Sequence, residues 1–313
     1  MTLGARALGA AAFGVAAILA GKASQPVTAD SAESLPRPDH TVVVIMENHS
    51  YAQVVGNASA PYINSLRTRG ANFTDSYGVS HPSEPNYLGL FAGTTENLTD
   101  DSCPHTYSSA NLASGLFATG QTFAGYSESM PSNGYTGCTS GRYARKHNPW
   151  VDYTNVPASA NLAFASIPAD YADLPTVAFV VPNLCNDMHD CGVATGDGWL
   201  RDRIDPYLRW ADTHNSLLVL TWDESNSGNS IPTIFVGPMV QAGDSGERID
   251  HYGVLRTLEE MYGLQPTGHA AEAAPIADVW QAVEPTTTPT PIPRAPVILS
   301  NRPRRTPTAA FPR

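Results

Sequence analysis

The segment HPSEPNYL, residues 81–88, sets Ser83 between two prolines and two residues after His81. A serine at the mouth of a helix has two ordinary uses. Its hydroxyl can cap the first turn. Alternatively, beside the backbone N–H groups and the positive dipole end, it stands where a phosphoryl group would bind. A hydroxyl is a weak nucleophile until a base or a metal ion activates it. The chain offers partners for the second use. HTVVVIM runs directly into Glu47-Asn48-His49, TVAFVV into Pro182-Asn183 and then CNDMHDC, and SLLVLTW into Asp223-Glu224. One polar strand end is turn chemistry; three together ask for a common ligand. Glu47, Asn48, Asp223 and Glu224 are hard oxygen donors, and clustered carboxylates repel unless a cation lies between them. An all-oxygen set favours Ca2+, Mg2+ or Mn2+ over zinc. His189 and His251 could add nitrogen ligands at a second position. His251 otherwise reads as a helix-start residue facing solvent, and His49 as a solvated surface histidine.

These residues need strands and helices to bring them together. His40–Met46 and residues 176–181 and 216–222 are β-branched or apolar runs, as buried strands are. Residues 122–125 read as a short strand and 232–236 as another. Residues 62–69 have helical spacing and stop before Gly70, and 84–91 read as a helix opening after Pro82-Ser83. Residues 199–214 carry apolar positions at 200, 204, 207, 208 and 211, predicting one helix, and 254–262 predict an amphipathic helix. Residues 94–156 are loop-rich and are expected to cover one face. Alternating strands and helices predict a single-domain α/β fold with a central, largely parallel sheet. Ligands of such sheets bind outside the carboxyl ends of the strands, where the three acidic segments fall.

The two ends of the 313-residue chain differ from this body. Residues 1–29 have Arg6 ahead of an Ala/Gly-rich apolar stretch followed by small residues, the pattern of a secretory signal peptide. The apolar run is shorter than the roughly 20 residues of a membrane span, so no stable transmembrane segment is expected. Residues 284–313 are rich in Pro and Thr, with five arginines and one acid, and predict a disordered or wall-associated basic tail. The body, residues 30–283, holds 11 Lys and Arg against 28 Asp and Glu, a formal charge of −17. That balance argues against nucleic acid as the partner. The densest basic cluster, GRYARKH, places Arg142, Arg145, Lys146 and His147 together as candidates for phosphate or an anionic head group, or as a solvated loop. Four cysteines in an exported chain predict two disulfides. Cys103–Cys138 with Cys185–Cys191 is preferred because the second pair closes a short loop.

VVVIMENHSY, HPSEPNYLGLFAG, PNLCNDMHD, LTWDE and HYGVLRTLEEMYGL, in this order, resemble the bacterial phosphoesterase family, which contains secreted acid phosphatases, phosphatidylinositol-3-phosphatases and larger phospholipases C. The match runs from about His40 to Trp280. The resemblance implies an alkaline-phosphatase-like fold, a central sheet between helical layers. It implies that Glu47, Asn48, Ser83, Asp223 and Glu224 hold a divalent metal and that Ser83 is the nucleophile, forming a phosphoserine. Asp187, His189 and His251 fall in the motifs of a second site. They either hold a second ion, or one of the histidines acts as proton donor or phosphate ligand. The implied activity is a secreted, monomeric, metal-dependent acid phosphatase on phosphate monoesters, possible substrates including a phosphoinositide head group. A phospholipase C-type diesterase is the alternative within enzymes. A non-catalytic calcium-binding surface module, which would need no nucleophile, is the alternative outside them, and a metal-free serine esterase is a further one.

Overall fold

The computed structural model describes Met1 and residues 35–281 apart from Ser227. The expected signal peptide and tail therefore lie outside the described residues, Met1 aside, and the elements below belong to the unit that begins at Leu35. The strands are β1 (His40–Met46), β2 (Ala71–Tyr77), β3 (Phe123–Ser127), β4 (Thr139–Ser140), β5 (Tyr143–Ala144), β6 (Asn161–Ala163), β7 (Val177–Val181), β8 (Ser216–Trp222), β9 (Thr233–Val236) and β10 (Gly243–Asp250). The α-helices are α1 (Tyr51–Val54), α2 (Pro61–Arg69), α3 (Ser83–Ala92), α4 (Leu112–Ala118), α5 (Val193–Arg203), α6 (Asp205–Ala211) and α7 (His251–Met261).

Eight strands form one sheet in the order β10-β2-β9-β8-β1-β7-β3-β6, and β4 pairs with β5 in a small hairpin. Within the sheet only β9 runs antiparallel to its neighbours, β2 and β8. The central strand β1 explains the layering. Its side chains alternate between faces, so Val43 and Ile45 join the core under α3, α4 and α7, while Val42, Val44 and Met46 join the core under α2, α5 and α6. A strand buried on both sides reads as a continuous apolar run, as β1, β7 and β8 do. Burying each such side chain contributes roughly 1.5–3 kcal/mol. The parallel registers Val44↔Val180 and Met46↔Trp222 bring the carboxyl ends of β1, β7 and β8 to one edge.

Three expectations change. The helix read over 199–214 is two helices, because Pro206 lacks the N–H that would continue the ladder. Strands β2 and β10 were absent from the sequence reading: ANFTDSY has only two core-facing apolar residues at its start, and GDSGERID has one apolar residue. Residues 94–156 do cover the site, but β3 passes through them and sits inside the sheet. The four cysteines pair as Cys103–Cys138 and Cys185–Cys191. No helix among the described residues is long and apolar enough to cross a membrane.

Candidate active site

Glu47 and Asp223 are the residues next after β1 and β8, so the sheet register alone sets them side by side. The Asp223 N–H donates to the Met46 carbonyl at 2.9 Å, and the Glu47 N–H donates to the Asp187 carbonyl at 2.8 Å. Asn48 then turns the chain with a left-handed φ of 54°, a conformation Asn tolerates better than most residues. Its N–H donates to Asp223 Oδ1 at 2.9 Å and its Nδ2 to Glu47 Oε2 at 3.0 Å. Asp187 follows β7 on a loop pinned from several sides. Glu128 accepts from the Asn183 N–H at 3.0 Å, Asn186 Nδ2 at 2.8 Å and Trp199 Nε1 at 3.0 Å. Cys185–Cys191 closes the loop around Asp187.

Ser83 does not cap its helix. Pro82 occupies the cap position, and Ser83 is the first helical residue of α3. Its hydroxyl is buried and lies 3.2 Å from Glu47 Oε2 and 3.4 Å from Glu224 Oε1. The other oxygen of Glu224 pairs with His81 Nδ1. Tyr87, one turn along α3, donates to Glu47 Oε1 at 2.5 Å. Thus the structure brings Glu47, Asn48, Ser83, Asp223 and Glu224 into one neighbourhood.

The histidines are arranged differently from the sequence expectation. His147, read only as part of a basic cluster, is the imidazole between two of the acids. Its Nε2 lies 3.1 Å from Glu47 Oε1 and its Nδ1 3.7 Å from Asp187 Oδ2. Ligand atoms of Glu47, His147 and Asp187 all lie within 4.8 Å of one another. Among the described residues, His189 and His251 are not part of that group. His189 is part-exposed, with Nδ1 2.8 Å from Asp190 Oδ1 and its ring 6.0 Å from that of His147. His251 is buried, its Nε2–H donating to the Asp223 carbonyl at 2.6 Å, so it supports the strand end from behind. The adjacent basic residues divide as well. Arg145 is buried and committed to Asp152 Oδ1 and to the carbonyls of Thr136 and His105, which leaves it no face for a ligand. Arg142 is exposed. Lys146 is part-buried, 2.7 Å from Asp101 Oδ2, and its charge reaches Glu47 and Asp223. Nothing in the sequence marked His147 apart from its basic neighbours, and nothing marked Tyr87 apart from other core aromatics.

The electrostatics say what this site lacks. Burial, and then the charges of Asp223 and Asp187, hold the Glu47 carboxyl far above the usual carboxylate range. Burial pushes Asp187 and Asp223 upward too, with neighbouring acids adding to it. His147 is pushed down by burial and by the Lys146 and His189 charges. The Oδ2 atoms of Asp187 and Asp223 are buried with no hydrogen-bond partner among the described residues. Buried acids in this number, with oxygens left over, fit a divalent cation in their midst. The imidazole of His147 adds a nitrogen to a donor set that the sequence reads as all oxygen.

A family model described as "Phosphoesterase family" matches residues 57–265. The chain is 49% identical over 255 residues, 80% of its length, to the phosphatidylinositol-3-phosphatase of Mycobacterium tuberculosis, 85% of which is covered. It is 29% identical over 75% of its length to an acid phosphatase of Aspergillus fumigatus, a longer protein of which 57% is covered. A solved structure from Vibrio parahaemolyticus, described as a protein in the alkaline phosphatase superfamily, superposes with a TM-score of 0.54 at 12% identity, covering 80% of this chain and 73% of that one. At that identity the likeness shows the fold, a mostly parallel sheet between helical layers.

Proposed function

The chain belongs to the Phosphoesterase family, a hydrolase of phosphate esters, and from that premise we propose that it is an exported, metal-dependent phosphatase of monoesters that works through a phosphoserine on Ser83. The observation carrying this reading is the Ser83 hydroxyl, buried at the start of α3 between the carboxylates of Glu47 and Glu224. Glu47, Asn48, Ser83, Asp223 and Glu224 are the residues that would hold a divalent cation, with Asp187 and His147 next to them. When bound, that ion supplies the positive charge that lowers the hydroxyl pKa and offsets phosphoryl oxygens.

The chain's own groups do the rest. Ser83 Oγ attacks phosphorus while its proton passes to a neighbouring carboxylate. The Ser83 N–H at the start of α3 and the Lys146 ammonium would face the phosphoryl oxygens, since Pro85 has no N–H and the Glu84 N–H donates to Asp101 Oδ1 at 3.0 Å. The departing alkoxide takes a proton from His189, whose Nδ1 is held by Asp190, and its ring then accepts one from the water that cleaves the phosphoserine. The alcohol and inorganic phosphate leave, and Ser83 regains its hydrogen. The M. tuberculosis relative directs the substrate reading toward a phosphoinositide head group. Two disulfides in the body and the leader-like pattern of residues 1–29 support export, with 30–283 as the catalytic body and 284–313 as a tail.

Phosphate release from p-nitrophenyl phosphate, followed with chelator and then with Ca2+, Mg2+, Mn2+ or Zn2+ restored singly, tests this. Chelation should abolish turnover and one ion should restore it. Ser83→Ala should lower kcat by at least about 10³-fold. Turnover unchanged in Ser83→Ala would remove the nucleophile from this reading. Vesicles carrying phosphatidylinositol 3-phosphate or phosphatidylcholine separate a monoesterase from a diesterase.

A further inference from the structure

Helix α3 presents two hydroxyls to one carboxylate. Ser83 and Tyr87 are four residues apart, so they share a helix face one turn from each other. The Ser83 hydroxyl meets Oε2 of Glu47 and the Tyr87 hydroxyl meets Oε1. The Tyr87 ring is buried and stacks on His147, with ring centroids 5.0 Å apart and planes 13° from parallel. One side chain therefore touches both Glu47 and His147. A buried tyrosine needs an acceptor for its hydroxyl in any core. Here the acceptor is the carboxylate that also receives the Ser83 hydroxyl, and the helix that carries one hydroxyl carries the other.

We propose that Tyr87 is a positioning residue: its hydroxyl locks the rotation of the Glu47 carboxylate so that Oε2 faces Ser83 and the cation, and its ring holds His147 in place. The proposal rests on the reading of Glu47 as a cation ligand. Groups that orient a metal ligand from behind typically change metal affinity or activity 10–100-fold when removed. Because α3 carries both hydroxyls, the spacing between the nucleophile and the group that orients Glu47 is set within one helix, while Glu47 itself stands at the end of β1.

The experiment uses the full chain stripped of metal. Binding of Mn2+ and, separately, Ca2+ is measured by calorimetry without substrate, and kcat and KM are measured with the ion that restores turnover. Tyr87→Phe keeps the ring and removes the hydroxyl. It should weaken ion binding about 10–100-fold and lower kcat about 10-fold, with KM within about 2-fold and the melting temperature near that of wild type. Tyr87→Leu, which also removes the stack, should lower kcat further. Wild-type ion binding and kcat in Tyr87→Phe would overturn the role of the hydroxyl, and equal kcat in the two variants would overturn the role of the ring. Glu47→Gln separates the two levels of the claim. If Glu47→Gln loses the ion while Tyr87→Phe keeps it, the positioning role alone fails. If Glu47→Gln binds the ion as wild type does, the ligand reading fails and the proposal with it.

Discussion

Arg145 and Lys146 are neighbours in the chain with opposite situations. Arg145 makes a buried pair with Asp152, at 2.6 and 3.0 Å, and its guanidinium also ties down the Thr136 and His105 carbonyls. Removing one partner of such a pair leaves the other charge buried and alone, at about 3–5 kcal/mol. Arg145→Ala should therefore lower the melting temperature sharply, and urea denaturation would show the loss. Lys146 faces the carboxylates from the rim. Lys146→Ala should leave the melting temperature almost unchanged and raise KM for a phosphate monoester about 10-fold, the cost of one charge-assisted contact. Composition marks both residues as cations; only the packing of the 3-10 turn at 145–147 decides that Arg145 is buried against Asp152 while Lys146 pairs with Asp101 nearer the acids. His147 illustrates the same limit. Its chemistry is plain from its side chain, but its place between Glu47 and Asp187 depends on a tertiary contact across 100 residues of chain. The acidic strand ends were legible because they adjoin unmistakable strands.

Elements differ in how clearly they show. Strands β1 and β8 are buried on both faces and stand out as apolar runs, whereas β10 at the sheet edge and β2 beside it are mostly polar, β10 pairing with β2 and β2 also with β9. The loop carrying Asp187 is the element on which the site depends most. Its residue Met188 has φ 83°, in the left-handed region, and packs down on helix α5 at Gly196. A Cβ at Gly196 would meet Met188 Cγ at 2.6 Å and the Asn186 carbonyl oxygen at 2.9 Å. A side chain there must push the loop away from α5. Gly196→Ala should cost about 1–3 kcal/mol of stability and lower kcat as Asp187 shifts. Thermal melting and steady-state kinetics on one preparation would show both. A variant as active and stable as wild type would mean that the loop tolerates the shift.

At the scale of the molecule, acidity and stability are coupled away from the candidate active site. Glu259 on α7 accepts from the Thr267 N–H and Oγ1 at 2.9 and 2.6 Å, tying the segment after α7 to the core. Burial raises its carboxyl to about 7, against the opposing effect of those Thr267 bonds. A raised acid stabilises the fold fully below its unfolded value near 4.5 and loses that contribution as pH rises through 7. The wild type should therefore lose about 2–3 kcal/mol between pH 4.5 and 7.5 relative to Glu259→Gln, in which this slope vanishes. Urea unfolding of both proteins at the two pH values checks the sign. A last consequence comes from the origin of the site residues. The sheet edge and α3 supply the acids and the hydroxyl, while Lys146 and His147 arrive from one covering stretch, 128–160, which Cys103–Cys138 stitches to a second, 94–111. Such a division lets the cover vary in sequence while the sheet edge beneath stays fixed, apart from the contacts that His147 makes. A change in the cover alters the space above the acids and, through His147, reaches Glu47 and Asp187 as well.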